Sequence, residues 1–425
     1  MFIFALLMIA VLLFLNKNLL KLPIGITRPN IFSMVVYRDF GVLTAIALSY
    51  WLWDRQAHTE HYILGQIPDQ YLELALYASF IFMIFFIFYS GFWAIVFKSF
   101  NNRLKVGSVE NYLMYLKIFF IFLLVMLVVM YYKNPPVLMN LLAGATAYDV
   151  SVLRSEVGGN AFFKIIRSSW MPIVAYTFYY FYLDAKYRAK VKIYTYFSGL
   201  MAVICALWSG AKSPIATLLL GYLGVYLAYN FNNKLKLSTI IVFVGVFLGL
   251  ILAMYALTTL NTDSTIFDNF QVAQKRLFTQ AGGVAYSFYM YPNFLDFKYF
   301  NGISSFLSGL NGSQFSSVYG DLIDNAVPED SDISGALSSF AAGDAYGLFD
   351  WYGIILGPIF ASFFYCLFYY LGAQGNIKHV FVGIYAVYFG NAYLASSFYS
   401  FVWPVGIFIS LFPFIFFYIL SLKRI

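Results

Sequence analysis

The chain predicts an all-α polytopic membrane protein of about eleven transmembrane helices, roughly ten to twelve, with one large outside loop before the ninth. Three observations carry that reading. Hydrophobic residues make up 62% of the 425 positions and charged residues only 11%, and sustained apolar runs of that kind would expose surface that no aqueous fold could cover. The runs recur along the whole chain at lengths suited to crossing a bilayer. Charge, finally, segregates between alternate connections.

Taken in order, the first span, Met1 to Leu15, has no basic region in front and no small-residue cleavage site behind, so it reads as a helix and not a signal peptide. The second, Ile31 to Trp53, carries Arg38-Asp39, a pair costly in lipid but accommodated at the interface near the cytoplasmic end. Tyr71 to Phe97 is the third. In the fourth, Tyr112 to Tyr132, Lys117 lies near the cytoplasmic end and can snorkel, and Pro135-Pro136 ends the segment. Trp170 to Leu183, Tyr194 to Trp208 and Pro214 to Tyr229 are shorter than the roughly 20 residues a crossing needs, so their ends extend into flanking turns. Pro214 opens its span where a missing amide does no harm. Leu237 to Leu260, Trp351 to Leu371, Val380 to Phe398 and Pro404 to Leu420 complete the set.

Placing alternate connections on opposite sides puts 15 Lys and Arg but only Glu110 and Asp184 on the side of Lys423 and Arg424, against nine basic and fifteen acidic residues opposite. Basic residues concentrate on the cytoplasmic side of polytopic proteins. The C-terminus is therefore cytoplasmic and the N-terminus outside. This segregation also accounts for the pI near 9 as membrane anchoring, with no nucleic-acid partner needed.

The chain reads as one integral membrane domain, 1–425, with two large outside loops, Lys133 to Ser169 and Asn261 to Asp350. Within the second, Asp268 to Phe278 suits a short amphipathic helix. Asn293 to Ser317, rich in Phe, Leu, Gly and Asn, is expected to pack back on the bundle or dip into the interface. Cys205 and Cys366 fall inside spans as small apolar fillers, and His58, His61 and His379 are too scattered for a metal cluster. Asp330-Ser331-Asp332 reads as a solvated acidic loop more than a divalent-ion pair.

Basic residues on the outside run against the charge bias and are the sharper signal. They are Arg154, Lys164 and Arg167 in the first loop, Lys212 in a short turn, and Lys275-Arg276 in the second loop. As a set they suit a diphosphate group, through arginine's planar fork and lysine's point charge; singly, each is equally a solvated surface charge. The turn Ser209-Gly210-Ala211-Lys212-Ser213-Pro214 sits at the bundle mouth, where small residues let a polar substrate approach the backbone. In Gly343 to Gly353, Asp344 stands where the long loop re-enters the membrane. Burial there favours the protonated form and suits a base, while a helix N-cap is the plain alternative.

On these residues the chain resembles the Wzy-type polysaccharide polymerases of bacterial envelopes and, more distantly, the O-antigen ligases of related, GT-C-like architecture. The turn around Lys212 looks like the family's small-residue turn, which usually carries Arg; Arg276 matches the loop arginine; Gly343 to Gly353 looks like the family's acidic, aromatic and glycine stretch; and Arg154 to Gly159 looks like the basic stretch of its first large loop. The resemblance implies a glycosyltransferase of the bacterial inner membrane, acting at the periplasmic face on undecaprenyl-diphosphate-linked glycans. It implies no cofactor and no metal, and a chain-length regulator as a protein partner besides membrane lipid. Asp344 and Arg276 would be catalytic. Arg154, Arg167, Lys212, Lys275 and Tyr346 would bind diphosphate or glycan.

Two other readings stand beside it. An O-antigen ligase would share donor and fold, but no His follows His61 in the outside loops, where Asp344 stands in place of the ligases' His. A lipid-linked oligosaccharide flippase would need ionisable groups near mid-bilayer, and the spans carry few.

Overall fold

A computed structural model describes residues 1–23, 25, 27–54, 64–133, 135–137, 139, 161–209, 213–230, 238, 245, 249, 279, 281–326, 340–395 and 398–422. Helices α1 (Phe2–Leu20), α2 (Ile31–Trp53), α3 (Asp69–Asn101) and α4 (Val109–Lys133) come first. Next is α5, residues 161–183, which passes from Ala161–Ile165 through wide π turns at Ile166–Trp170 into Met171–Leu183. It is followed by α6 (Ala185–Leu207) and α7 (Ser213–Tyr229). Three short helices, α8 (Gly282–Met290), α9 (Ser305–Leu310) and α10 (Val318–Ala326), belong to the second outside loop. The chain ends with α11 (Ala341–Leu356), α12 (Pro358–Phe368), α13 (Lys378–Gly390), α14 (Tyr399–Val402) and α15 (Val405–Leu422).

Among the described residues there is no strand, and six helices, α1 to α4, α6 and α15, are long and apolar enough to cross a membrane. A seventh candidate is broken: Ala341–Leu356 and Pro358–Ala373 meet at 63°, as a bent span or a re-entrant loop. This is the architecture of a polytopic membrane protein. The eighth span expected from sequence lies almost wholly outside the described residues, as do the amphipathic stretch at Asp268 to Phe278 and the Asp330-Ser331-Asp332 run.

Local chemistry explains the helix ends. Asn30 Oδ1 accepts the Phe32 and Ser33 amides, both at 3.0 Å, and Ser33 Oγ accepts the Asn30 amide at 2.8 Å. This reciprocal cap satisfies the first donors of α2. Asp184 caps α6 by accepting the Lys186 amide at 2.9 Å. In α5, Pro172 lacks the amide that would pair with the turn before it, and the π turns at Ile166–Trp170 sit there.

Small residues let α5, α7 and α13 approach one another closely. Gly221 lies against the Tyr176 ring, Gly390 against the Thr217 backbone and Gly383 against Ile173, so a methyl at any of these would collide. Such contacts suit a membrane bundle, where association rests on packing. Buried aromatic rings fill the opposite side: Phe340 meets Phe40 and Phe82, and Phe82 meets Phe398.

Three features differ from the sequence reading. The tenth span, expected to run from Val380 to Phe398, stops at Gly390; at 1.5 Å per residue its thirteen residues cover about 20 Å, short of the ~30 Å hydrocarbon core. The first outside loop is shorter than expected, because α5 begins at residue 161 and carries Lys164 and Arg167 on helix. The ninth span starts earlier, at Ala341, and breaks at Phe349 and Asp350, where Asp350 has φ 55° and ψ −149°. Gly353 then passes directly against the Ala345 carbonyl, an approach that leaves no room for a side chain.

The segment from Asn293 to Ser317 packs back on the bundle. The Asn293 side chain donates to the Tyr71 hydroxyl at 2.9 Å, and the Lys298 amide donates to the Gly347 carbonyl at 3.0 Å. Asp321, paired with Lys298 and accepting from Ser316, joins this loop to Tyr291, whose hydroxyl reaches it at 3.3 Å.

Candidate functional site

The start of α5, the end of α6, the start of α7 and the end of α13 meet around a cavity of about 220 Å³. Its polar lining comes from Lys164, Arg167, Ser168, Tyr176, Ser209, Ser213, Thr217 and Asn391, and no acidic residue lines it among the described residues. One helical turn separates Lys164 from Arg167, which places both on one side of α5. Ser209 and Ser213 flank the three residues, 210–212, that hold Lys212. Lys164 and Arg167 make no ion pair among the described residues. The opening turn of α7, with Pro214 in it, adds backbone amides with no partner within their own helix.

One wall of this cavity is fixed from the opposite side of the bundle. Arg38, in the π turns of α2, donates to the carbonyls of Phe389 at 2.8 Å, Gly390 at 2.7 Å and Asn391 at 2.6 Å. Its Nε also donates to Asp39 Oδ1 at 2.7 Å. These carbonyls are the open end of α13, which helix geometry leaves without acceptors' partners, and a cation at a helix C-terminus is also favoured by the helix dipole. The pair is therefore packed among helices, with Arg38 16% and Asp39 0% exposed. These bonds supply donors to carbonyls that the helix end leaves unpaired.

Asp344 occupies a second buried position, 7% exposed and bounded by Phe340 and Phe398. It is not the N-cap of its own helix; that place belongs to Phe340, and Asp344 lies within the first turn. Its Oδ2 accepts the Phe398 amide at 3.0 Å, and Oδ1 has no partner among the described residues. Asp344 does not line the cavity. The chain between them, from Asn391 to Phe398, is held by Arg38 at one end and by Asp344 at the other.

Of the residues singled out from sequence, the structure brings Lys164 and Arg167 to the cavity, while Asp344 is bonded to the Phe398 amide and is not among the cavity's lining residues. Tyr346 stacks on Phe288 with centroids 4.2 Å apart and meets Phe297 and Trp351 edge-on, so its ring belongs to the aromatic packing under the second loop. Arg154, Lys212, Lys275 and Arg276 lie outside the described residues, as do His58 and His61. Cys205 and Cys366 are buried free thiols, and no group of three potential metal ligands occurs among the described residues. Sequence reasoning missed Asn391 as a wall of the site. The Gly390-Asn391 pair was the available signal, since Gly and Asn favour helix C-termini.

Comparison of the chain with protein-family models, with curated proteins and with solved structures finds no match.

Proposed function

We propose that this protein is a glycosyltransferase of the bacterial inner membrane that polymerises undecaprenyl-diphosphate-linked repeat units at the periplasmic face, with the GT-C-like helical arrangement of polymerases and ligases. The observation that carries this reading is the cavity lined by Lys164 and Arg167, without an acidic residue among its described lining and with the two serines that flank Lys212 in its wall. Unopposed cations beside hydroxyls and helix-start amides favour a phosphate-bearing ligand.

In this reading the cavity holds the diphosphate of the donor, a growing glycan on its lipid carrier. An acceptor hydroxyl on a single repeat unit attacks the anomeric carbon as the bond to the diphosphate oxygen breaks. Arg167 and Lys164, with Arg154, Lys212, Lys275 and Arg276, which the sequence analysis assigns to the same diphosphate, would offset the charge that develops on the leaving diphosphate. The hydroxyl proton passes to Asp344, whose Oδ1 lacks a partner among the described residues. That transfer requires the Phe398 end of the 391–398 segment to move aside.

A flippase would use buried charges along a translocation path. Arg38 is instead committed to three carbonyls and to Asp39, which favours the enzyme reading. The deciding experiment incubates the purified protein with a synthetic undecaprenyl-diphosphate repeat unit. A ladder of lengthening products supports polymerisation, whereas transfer only to lipid A would make the protein a ligase. Unchanged substrate would remove both.

A further inference from the structure

The second outside loop has a surface that the proposed chemistry does not use. Residues 299–320 contain no Asp, Glu, Lys or Arg, although Asp296, Lys298 and Asp321 stand immediately beside them. Within this stretch Phe300 is 59% exposed, Phe306 63% and Leu310 69%. Phe306 and Leu310 are four residues apart on α9 and so share one face of that helix, while Ser304 caps it by accepting the Leu307 amide at 3.1 Å. An aqueous loop gains nothing by displaying such a face, and exposed apolar patches mark contact surfaces.

We infer that this segment lies in the outer membrane interface, with Phe306 and Leu310 inserted among lipid acyl chains. Continuity with the lipid-facing surface selects that occupant. The Phe300 ring meets Phe349 edge-on at 5.6 Å, and from two residues later Trp351, Tyr352, Ile355 and Leu356 form an exposed apolar face within the first half of the bent pair. Gly302 lies against Leu348, holding the loop down on the same helix. Absent charge, aromatic tips and hydroxyl-rich turns are the composition of an interfacial segment. The inference does not depend on the catalytic reading.

The test places single spin labels through Phe306→Cys and Leu310→Cys, in a Cys205→Ala, Cys366→Ala background, with the full chain reconstituted in phosphatidylglycerol-phosphatidylethanolamine vesicles. Asp296→Cys gives an aqueous reference and Phe412→Cys, on the exposed face of α15, a lipid reference. Relaxation by oxygen should exceed relaxation by a water-soluble nickel chelate at 306 and 310, as at 412. Accessibility matching position 296 at both sites would overturn the inference, and would instead leave the face to a protein or glycan partner missing from the vesicles. Labels at Ser304→Cys, buried against the loop, distinguish a misfolded loop from a water-exposed one by their mobility.

Discussion

Asp344 accepts the main-chain amide of Phe398 through Oδ2 at 3.0 Å while its second oxygen stays buried without a partner among the described residues. One carboxylate thereby has two separable roles. The bonded oxygen anchors the backbone at the start of α14, and the other is available to a proton.

Substitution separates them. Asn keeps an oxygen that can accept the Phe398 amide but cannot take up a proton, so Asp344→Asn should retain abundance and melting temperature while lipid-linked single repeats accumulate in cells. Asp344→Ala removes the acceptor too and should lower stability by about 1–3 kcal/mol, the cost of a buried unsatisfied amide. Glycan gels and melting of detergent-extracted protein read the two effects. Near-parental polymer from the Asn variant would leave Asp344 with its anchoring role alone.

Arg167→Ala removes a cation from the cavity wall, and Arg154→Ala and Arg276→Ala remove the loop arginines assigned to the same diphosphate. Each should reduce polymer on the order of tenfold to a hundredfold at unchanged membrane abundance, since a charge-assisted hydrogen bond contributes about 1.5–3 kcal/mol. Lys212→Arg should be milder than Lys212→Ala. Full-length glycan from all three arginine variants would reduce them to surface charges.

Arg38→Met strands three carbonyls at the end of α13 and leaves Asp39 buried beside an uncharged side chain. Breaking a buried pair in this way costs about 3–5 kcal/mol. The variant should therefore melt well below the parent, and Arg38→Lys, which lacks the planar fork, should fall between them. A parental melting curve for Arg38→Met would mean that the end of α13 is satisfied by other means.

Charge segregation predicts an orientation that fusions can test. Reporters fused after Asn101, Ala189 and Gly375 should signal cytoplasm, and those after Gly159 and Gly312 should signal the outside. The start of α5, the end of α6, the start of α7 and the end of α13 share one cavity, lined by Lys164, Ser209, Ser213 and Asn391. A cytoplasmic signal at Gly312 would put the cavity in the wrong compartment for a periplasmic polymerase.

Much of the fold was legible because a bilayer imposes one rule on sequence: a spanning segment must be apolar over about 20 residues and must satisfy its own backbone. The expected starts and ends of α3, α4 and α15 lie within a few residues of those observed. Where the rule is met by partners elsewhere in the chain, sequence reading fails. Val380 to Phe398 is apolar enough to cross, and only Arg38, more than 350 positions away, shows that its helix can end at Gly390.

The candidate site divides in the same way. Arg167, the turn around Lys212 and Asp344 stood out as polar groups in an apolar chain, because charge near a membrane is costly enough to need a reason. Their arrangement did not. Sequence alone determined that the protein is helical and rich in membrane-spanning segments, since these depend on transfer energies that local composition sets. Tertiary structure alone decided that Lys164 and Arg167 share a cavity with Ser209, Ser213 and Asn391, and that Asp344 is tied to the Phe398 amide. Those relationships rest on hydrogen bonds and close packing between segments tens to hundreds of residues apart, and no local pattern encodes which partner a buried polar group will find.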